Sequence, residues 1–179
     1  MCLHVRMALD SRLDAGRSSR TERVVPAVLR VTAGLLWLSR VGWKTPPDFG
    51  RSGDGCSGLC RFVAAGADDA VIPPWGWVLE NIVSPNLAVF GYLTVVTEFL
   101  LAVLLLSGTL TRLAALVGIA QSLAIGLTVA NAEGEWYWSY LLMAALHLAV
   151  LALAAGRYYG VDFLLRQRAP LPRWLDAST

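Results

Sequence analysis

The chain has 179 residues, of which 56% are hydrophobic and only 16% are charged, and its mean hydropathy is +0.55. This composition is too apolar for an ordinary soluble domain and indicates an integral membrane protein. The formal net charge of +2 gives no reason to expect a nucleic-acid partner, and we instead expect the basic residues to contact membrane lipids.

Four stretches are long and apolar enough to cross about 30 Å of hydrocarbon, which takes roughly 20 helical residues. They are residues 24–43, 86–106, 111–130 and 137–156. The Arg-rich segment 1–23 is predicted to be a disordered cytoplasmic tail. We therefore predict an all-α fold, in which residues 24–160 form an antiparallel four-helix bundle in the membrane.

The distribution of Lys and Arg outside the spans predicts the orientation, because positive flanks are retained in the cytoplasm. Most of these residues lie in the N-terminal tail, the 107–112 turn and the C-terminal segment, whereas most acids lie in or near the 44–85 loop. Both termini are therefore predicted to be cytoplasmic, with loop 44–85 outside the cell (plasma) membrane.

The outer loop is predicted to contain short helices. Its first part, TPPDFGRSGDGCSG, is too rich in Gly and Pro to be helical throughout. We expect a surface helix in LCRFVAAGADDAV and an interfacial or re-entrant helix in IPPWGWVLENIVSPN, with Trp75 and Trp77 at headgroup depth. After the last span, residues 161–179 are predicted to hold an amphipathic interfacial helix, VDFLLRQR, and a cytoplasmic tail.

Each predicted span carries one strongly polar side chain. The four are Arg30, Glu98, Gln121 and His147, at depths of roughly 9, 12, 15 and 15 Å from the cytoplasmic side at about 1.5 Å per residue. Burying a charge in hydrocarbon is costly, so such groups turn inward and pair. We therefore predict that the four side chains converge in the bundle, with Glu98 and Arg30 as an ion pair.

Helical spacing adds neighbours to this polar plane. Thr94 shares a face with Glu98, and Thr97 lies beside it. Gln121 borders a stripe of small residues in the third span that favours close helix contact. A purely structural role is the alternative, because a buried Arg and Glu can fix which helices meet, and Gln or His can bond a neighbouring backbone.

Two cysteines, Cys56 and Cys60, lie in the Gly-rich part of the outer loop, on the predicted oxidising side. Their Cys-x-x-x-Cys spacing does not match the thioredoxin Cys-x-x-Cys signature. Two interpretations stay open, a structural disulfide and a redox-active cysteine pair, and the oxidising compartment favours the structural disulfide. Two sulfurs without a nearby loop histidine do not make a zinc site, so no metal site is predicted.

Three stretches, LRVTAGLLWLSRVGWK, TEFLLAVLLLSGTLTRLAALVG and GRYYGVDFLL, resemble the DoxX family of small four-span membrane proteins. The matching residues are Arg30, Gly42 and Lys44 at the first span, Glu98, Gly108, Thr111 and Arg112 in the second span and its turn, and Gly156, Gly160 and Asp162 after the last span. The sequence departs from the family where a glycine pair is usual, at Leu101 and Ala102. Larger side chains at these positions are expected to narrow any cavity beside Glu98.

The resemblance implies a redox function. DoxX-like proteins include the small membrane subunit of thiosulfate:quinone oxidoreductase, and others are associated with membrane redox complexes and with thiol or oxidative-stress defence. We therefore expect a quinone-interacting subunit of a quinone-linked oxidoreductase, with protein partners in a membrane complex. The candidate catalytic residues are Glu98, Arg30 and His147, and the candidate quinone-binding residues are Gln121, Lys44, Thr94 and Thr97.

Quinone is the only cofactor expected, because the sequence shows no heme, flavin, iron–sulfur or nucleotide motif. Electrons would then come from a partner's cofactor or directly from a substrate. Two alternatives stay open: a non-enzymatic membrane anchor or accessory subunit of a larger respiratory or redox complex, and a small transporter. A quinone-reactive protein should hold a cavity that reaches Glu98, whereas an anchor should be packed solid there.

Overall fold

The computed structural model describes residues 2–53, 55–168 and 178, and the side chains of residues 20–53, 55–167 and 178. Helices account for 75% of the structure, which confirms the all-α prediction. In chain order the elements are α1 (Cys2–Val41), β1 (Arg51–Ser52), β2 (Gly55–Cys56), α2 (Gly58–Asp68), α3 (Pro73–Val78) with a π-helical turn (Leu79–Val83), α4 (Leu87–Ser107), α5 (Thr111–Val129), α6 (Tyr137–Ala152), a 3₁₀ turn (Ala155–Arg157) and α7 (Val161–Arg168).

Three helical segments are long and apolar enough to cross a membrane: Arg20–Val41 within α1, Leu87–Ser107 and Thr111–Val129. Helix α6 is also apolar, but its 16 residues extend only about 24 Å. The described residues thus hold three candidate spans and one shorter apolar helix, as expected of a helical membrane protein.

The four apolar helices pack in two antiparallel pairs, α1 with α4 and α5 with α6. Small residues allow close approach within each pair, since Gly34 lies against Leu106, and Gly118 lies against the ring of His147. We call the end of the helices at residues 107–112 the turn end, and the end at residues 44–85 the loop end. A buried apolar cluster fills the turn half, formed by Ala33, Trp37, Leu101, Ala102, Leu105, Ala114, Ala115, Val150 and Ala155.

Helix α1 begins at Cys2 and so takes in most of segment 1–23, which we expected to be a disordered tail. The segment is rich in Arg, Leu, Ala and Met, which favour helix, and the proline within α1, Pro26, comes only after it. The low hydrophobicity of segment 1–23 therefore does not prevent α1 from starting well before the apolar stretch at residue 24.

The loop between α1 and α4 contains two short helices, as expected, and they lie over the loop end of α5. Pro73 and Pro74 occupy the first turn of α3, where a missing N–H costs no helical hydrogen bond. Trp75 donates its indole N–H to Thr128 Oγ1 at 3.1 Å, and Gly66 of α2 lies against the Thr128 backbone. This pair of contacts fixes α2 and α3 as a cover above α5.

The predicted C-terminal helix is present as α7 (Val161–Arg168). Residues 169–177 and 179, which belong to the predicted cytoplasmic tail, lie outside the described residues. Gly156 and Gly160 permit the tight path from α6 to α7, because a Cβ at Gly156 would overlap Asp162 and Thr111.

Candidate functional site: a cavity at the loop end

A cavity of about 960 Å³ lies at the loop end, between the two helix pairs. Its walls come from the last turns of α1, the first half of α4, the second half of α5 and the start of α6, and α2, α3 and the π-helical turn cover it. The walls are mostly apolar, with polar side chains that include Arg40, Lys44, Thr94, Thr97, Glu98 and Gln121. This volume and this combination of walls are typical of a site for a small organic molecule.

The cavity holds a buried ion pair between Lys44 and Glu98. The side chain of Glu98 is 0% exposed, and its Oε2 accepts a hydrogen bond from Lys44 Nζ at 2.6 Å. Lys44 Nζ also donates to the carbonyl of Arg40 at 3.0 Å and lies 4.6 Å from the centre of the Trp43 ring. Burial lowers the pKa of the Lys44 ammonium below its ordinary value, whereas the hydrogen bond and charge of Glu98 act in the opposite direction.

The predicted ion pair between Glu98 and Arg30 is wrong. Because α1 and α4 are antiparallel, Arg30 lies beside Leu105, two turns further along α4 than Glu98. The cation that reaches Glu98 is Lys44, which follows the end of α1 and extends its side chain back towards the middle of α4.

The second carboxylate oxygen of Glu98, Oε1, is buried and has no hydrogen-bond partner among the described residues. A buried carboxylate oxygen without a donor is unfavourable by roughly 1–3 kcal/mol or more. Glu98 also forms part of the cavity wall. Gln121, Thr94 and Thr97 line the same cavity, so the structure brings these three predicted residues together with Glu98 and Lys44.

Arg30 is buried at the turn end, away from the cavity wall. Its Nη1 donates to the Leu105 carbonyl at 3.1 Å, and its Nη2 donates to the Tyr159 carbonyl at 3.0 Å. The Leu105 carbonyl belongs to the last turn of α4, where carbonyls lack helical partners. Gly108 leaves room for this contact, because a Cβ there would overlap the guanidinium of Arg30. Arg30 therefore caps the C-terminal end of α4.

Asp162 has the complementary role at the start of α5. It is fully buried, and its carboxylate accepts hydrogen bonds from the backbone N–H groups of Leu110 at 2.9 Å and Thr111 at 3.0 Å. These N–H groups belong to the unpaired first turn of a helix, which favours a negative charge. Asp162 also acts electrostatically on Arg30. The glycines, threonine and aspartate of the family motif thus meet at one structural junction.

His147 lies in the helix packing rather than in the cavity wall. Trp37 donates its indole N–H to His147 Nε2 at 2.8 Å, and Nδ1 lies 2.7 Å from the carbonyl of Met143. Since an indole N–H can only donate, we assign the ring proton to Nδ1, which donates to that carbonyl. Both nitrogens are occupied, and the ring packs against Gly118. The structure favours the structural alternative for His147 over a catalytic role.

Cys56 and Cys60 form a disulfide, with their Cα atoms 5.3 Å apart. Cys56 is exposed in β2, whereas Cys60 is buried in the first turn of α2. The buried sulfur packs in a cluster with Phe49, Val63 and Leu87. In the part of the chain that the structure describes, no three His, Cys, Asp or Glu side chains are grouped so as to hold a metal ion.

A second polar group lies in the cavity and was not predicted from the sequence. Tyr140 donates its hydroxyl hydrogen to Glu135 Oε2 at 2.7 Å, and both residues line the cavity. The charge of Arg40 acts on both Tyr140 and Glu98. Arg40 stands one turn before Lys44, which is a spacing that could have indicated it. Glu135 lies in a loop, where helical periodicity gives no information.

These features define a helical membrane protein with a partly polar cavity at one end of its apolar helices. The chain belongs to the DoxD family, described as "TQO small subunit DoxD", whose family model matches residues 70–172. The matched segment contains Glu98, Gln121 and His147, but not Arg30, Lys44 or the disulfide. Comparisons with curated proteins and with solved structures gave no significant match.

Proposed function

We propose that the protein is a quinone-interacting membrane subunit of a redox complex, and that the headgroup of a quinone occupies the cavity beside Glu98 and Lys44. The observation that carries this proposal is the buried, unpartnered Oε1 of Glu98 in the wall of a mostly apolar cavity. The description of the family as a TQO small subunit supports a role in such a complex.

A quinone headgroup fits the chemistry of these walls. Its ring is flat and apolar, and its two oxygens accept hydrogen bonds in the oxidised form and donate them in the reduced form. Glu98 Oε1 can accept a hydrogen bond from a hydroxyl of the reduced form, and Lys44, Thr94 and Gln121 carry donors for the oxidised form. The apolar side chains around them exclude water from the ring.

The cavity also extends to the lipid-facing surface. Leu36 of α1 and Leu93 of α4 line it, and they are 41% and 59% exposed. A molecule with an apolar tail could therefore keep its headgroup near Glu98 while the tail lies between these helices and the lipid. This arrangement suits a membrane-soluble quinone better than a water-soluble metabolite.

A bound quinone would supply a couple that takes up two electrons and two protons. The residues of this chain would bind and orient the headgroup and hold a proton next to it, with Glu98 as the proton-holding group and Lys44 as its counter-charge. The sequence has no motif for an electron-carrying cofactor, so we propose that electrons arrive from a partner subunit or from a reduced substrate.

We further propose that α6, extended by the 3₁₀ turn, is a fourth span and that the four apolar helices form an antiparallel membrane bundle. Both termini would lie in the cytoplasm and the loop end outside the plasma membrane, because Lys and Arg are concentrated towards the termini and the turn end. The amphipathic α7 would then lie at the inner membrane surface. The proposed quinone site is thus in the outer half of the bundle.

The two alternative functions, a membrane anchor and a transporter, require different packing of the same helices. An inert anchor needs no space at Glu98, whereas the structure has a cavity there. A transporter needs a path along the bundle, but the cavity wall stops where the turn half is filled by packed side chains such as Ala33, Leu101 and Leu105. These observations favour a binding site that is reached from one side.

Titration with decylubiquinone in lipid nanodiscs tests the proposed function. Binding is expected to quench tryptophan fluorescence in a saturable way, because Trp43, Trp75 and Trp136 line the cavity. In a parallel anaerobic titration with the reduced form, decylubiquinol, Glu98→Gln should weaken binding about tenfold, because the quinol hydroxyl loses a charge-assisted hydrogen bond of about 1.4 kcal/mol. The matched control is Glu80→Gln, which removes an exposed carboxylate outside the cavity wall and should leave the affinity unchanged. Equal affinities for all three proteins, or no saturable quenching, would contradict the proposal.

A further inference from the structure

We infer that the Cys56–Cys60 disulfide is a thiol-exchanging redox centre, which accepts two electrons from an external dithiol and passes them to the quinone in the neighbouring cavity. The second of these steps rests on the proposed function, whereas the first does not. The electron donor would be a dithiol that approaches from the loop end.

A structural staple is an insufficient explanation for this disulfide. It joins cysteines only four residues apart, and the stabilisation from closing a loop is smallest when the loop is short. The same segment is already closed by backbone hydrogen bonds, from Ser57 N–H to the Gly50 carbonyl at 2.8 Å and from Cys60 N–H to the Phe49 carbonyl at 2.9 Å. The segment can therefore keep its shape with the sulfurs joined or separate.

The two sulfurs differ in the way that exchange requires. Cys56 is exposed, so an external thiolate can reach it, whereas Cys60 is only 5% exposed. Attack on Cys56 would release Cys60 as the thiolate, and Cys60 lies in the first turn of α2. The positive end of the helix dipole stabilises an anion in this first turn, and it makes Cys60 a better leaving group.

The disulfide also lies close to the cavity. Cys60 packs in one buried cluster with Val63 and Leu87, and both of these residues line the cavity. The buried cluster around Cys60 and the proposed quinone site thus share the side chains of Val63 and Leu87. This proximity is the reason for linking the two sites.

The proposed reaction balances in two steps. In the first, one thiolate of the external dithiol attacks Cys56 Sγ, the Cys56–Cys60 bond breaks and a mixed disulfide forms. The second thiol of the donor then displaces Cys56, so that the donor leaves as a disulfide and both cysteines are reduced. In the second step, two electrons and two protons pass from the cysteines to the quinone, the disulfide forms again and the quinol is produced.

Counting thiols on the full chain tests both steps. Reduction and reoxidation are carried out in nanodiscs, under anaerobic conditions and without denaturant, and the sample is then acid-quenched and alkylated in denaturant so that the buried Cys60 is counted as well. The chain has three cysteines, so one reactive thiol is expected before treatment with dithiothreitol and three after it. Removal of the reductant and addition of decylubiquinone should return the count to one. Cys2→Ser is the matched control, which lowers every count by one and leaves the quinone-dependent change of two intact.

Two results would overturn the inference. A disulfide that dithiothreitol cannot reduce in the folded protein would be a structural staple, and reduced cysteines that decylubiquinone does not reoxidise would exclude transfer to the quinone. Quenching of tryptophan fluorescence by decylubiquinone in the same sample separates the causes. If the quinone binds but the thiols persist, only the inference fails; if it does not bind, the proposed function fails as well.

Discussion

Replacing Lys44 with methionine is expected to lower the free energy of unfolding by about 3–5 kcal/mol, because it leaves the buried carboxylate of Glu98 without its cation. Lys44 Nζ lies 2.6 Å from Glu98 Oε2, and both residues are buried. The double variant Lys44→Met with Glu98→Gln should recover more than half of this loss, since a neutral amide is far less costly to bury than a charge. Reversible unfolding in mixed micelles, followed by circular dichroism, measures these two variants and the single variant Glu98→Gln.

The coupling energy between the two substitutions shows whether Lys44 compensates the buried charge of Glu98. A value of at least 1.5 kcal/mol is expected from such a cycle, within the roughly 0.5–3 kcal/mol found for residues in contact. Arg40→Met is the matched control, because it removes an exposed cation of the same cavity wall. Effects that simply add for Lys44 and Glu98 would show that the carboxylate does not depend on Lys44.

Asp162→Ala is expected to cost about 3 kcal/mol of stability, because two N–H groups at the start of α5 lose a charged acceptor, and hydrogen bonds to charged groups contribute about 1.5–3 kcal/mol each. Asp162→Asn keeps one acceptor oxygen and should cost about half as much. The same unfolding measurement in mixed micelles compares them. A loss for Asp162→Ala that is no larger than for the asparagine variant would refute the capping role.

The sequence was sufficient to find Glu98 but not its partner. A carboxylate within an apolar helix had to be compensated, and this argument predicted a nearby cation correctly. Arg30 was chosen because depth was counted from residue 24, as if the first helix began there. Since α1 extends back to Cys2, residue 24 marks no helix end, and Arg30 lies about 10 Å further along α4 than Glu98 at 1.5 Å per residue.

Lys44 shows what spacing within a helix cannot predict. It lies beyond the end of α1, so the prediction of polar side chains within the spans did not include it. The family resemblance singled it out as a matching residue, but only the folded chain shows that its long side chain turns inward to Glu98 instead of outward to the headgroups.

Helical periodicity correctly predicted a contact that involves only two neighbouring helices. The stripe of small residues on α5 predicted close packing, and Gly118 does lie against His147. Periodicity could not show that Trp37 of α1 would occupy Nε2 of His147, because that contact depends on the arrangement of three helices. For the same reason, the cavity could not be located from the sequence.

Photoaffinity labelling with an azido derivative of decylubiquinone tests the central claim, that a quinone headgroup occupies the cavity beside Glu98, most directly. Labelled peptides identified by mass spectrometry should contain residues of the cavity wall, chiefly within 87–98 and 117–129, and excess unlabelled decylubiquinone should suppress the labelling. With the probe kept in its reduced, quinol form, Glu98→Gln should reduce labelling of the same peptides, because the quinol hydroxyl loses its acceptor. Labelling confined to lipid-facing residues outside the wall, such as Leu113 or Leu148, and unaffected by competitor, would contradict the claim.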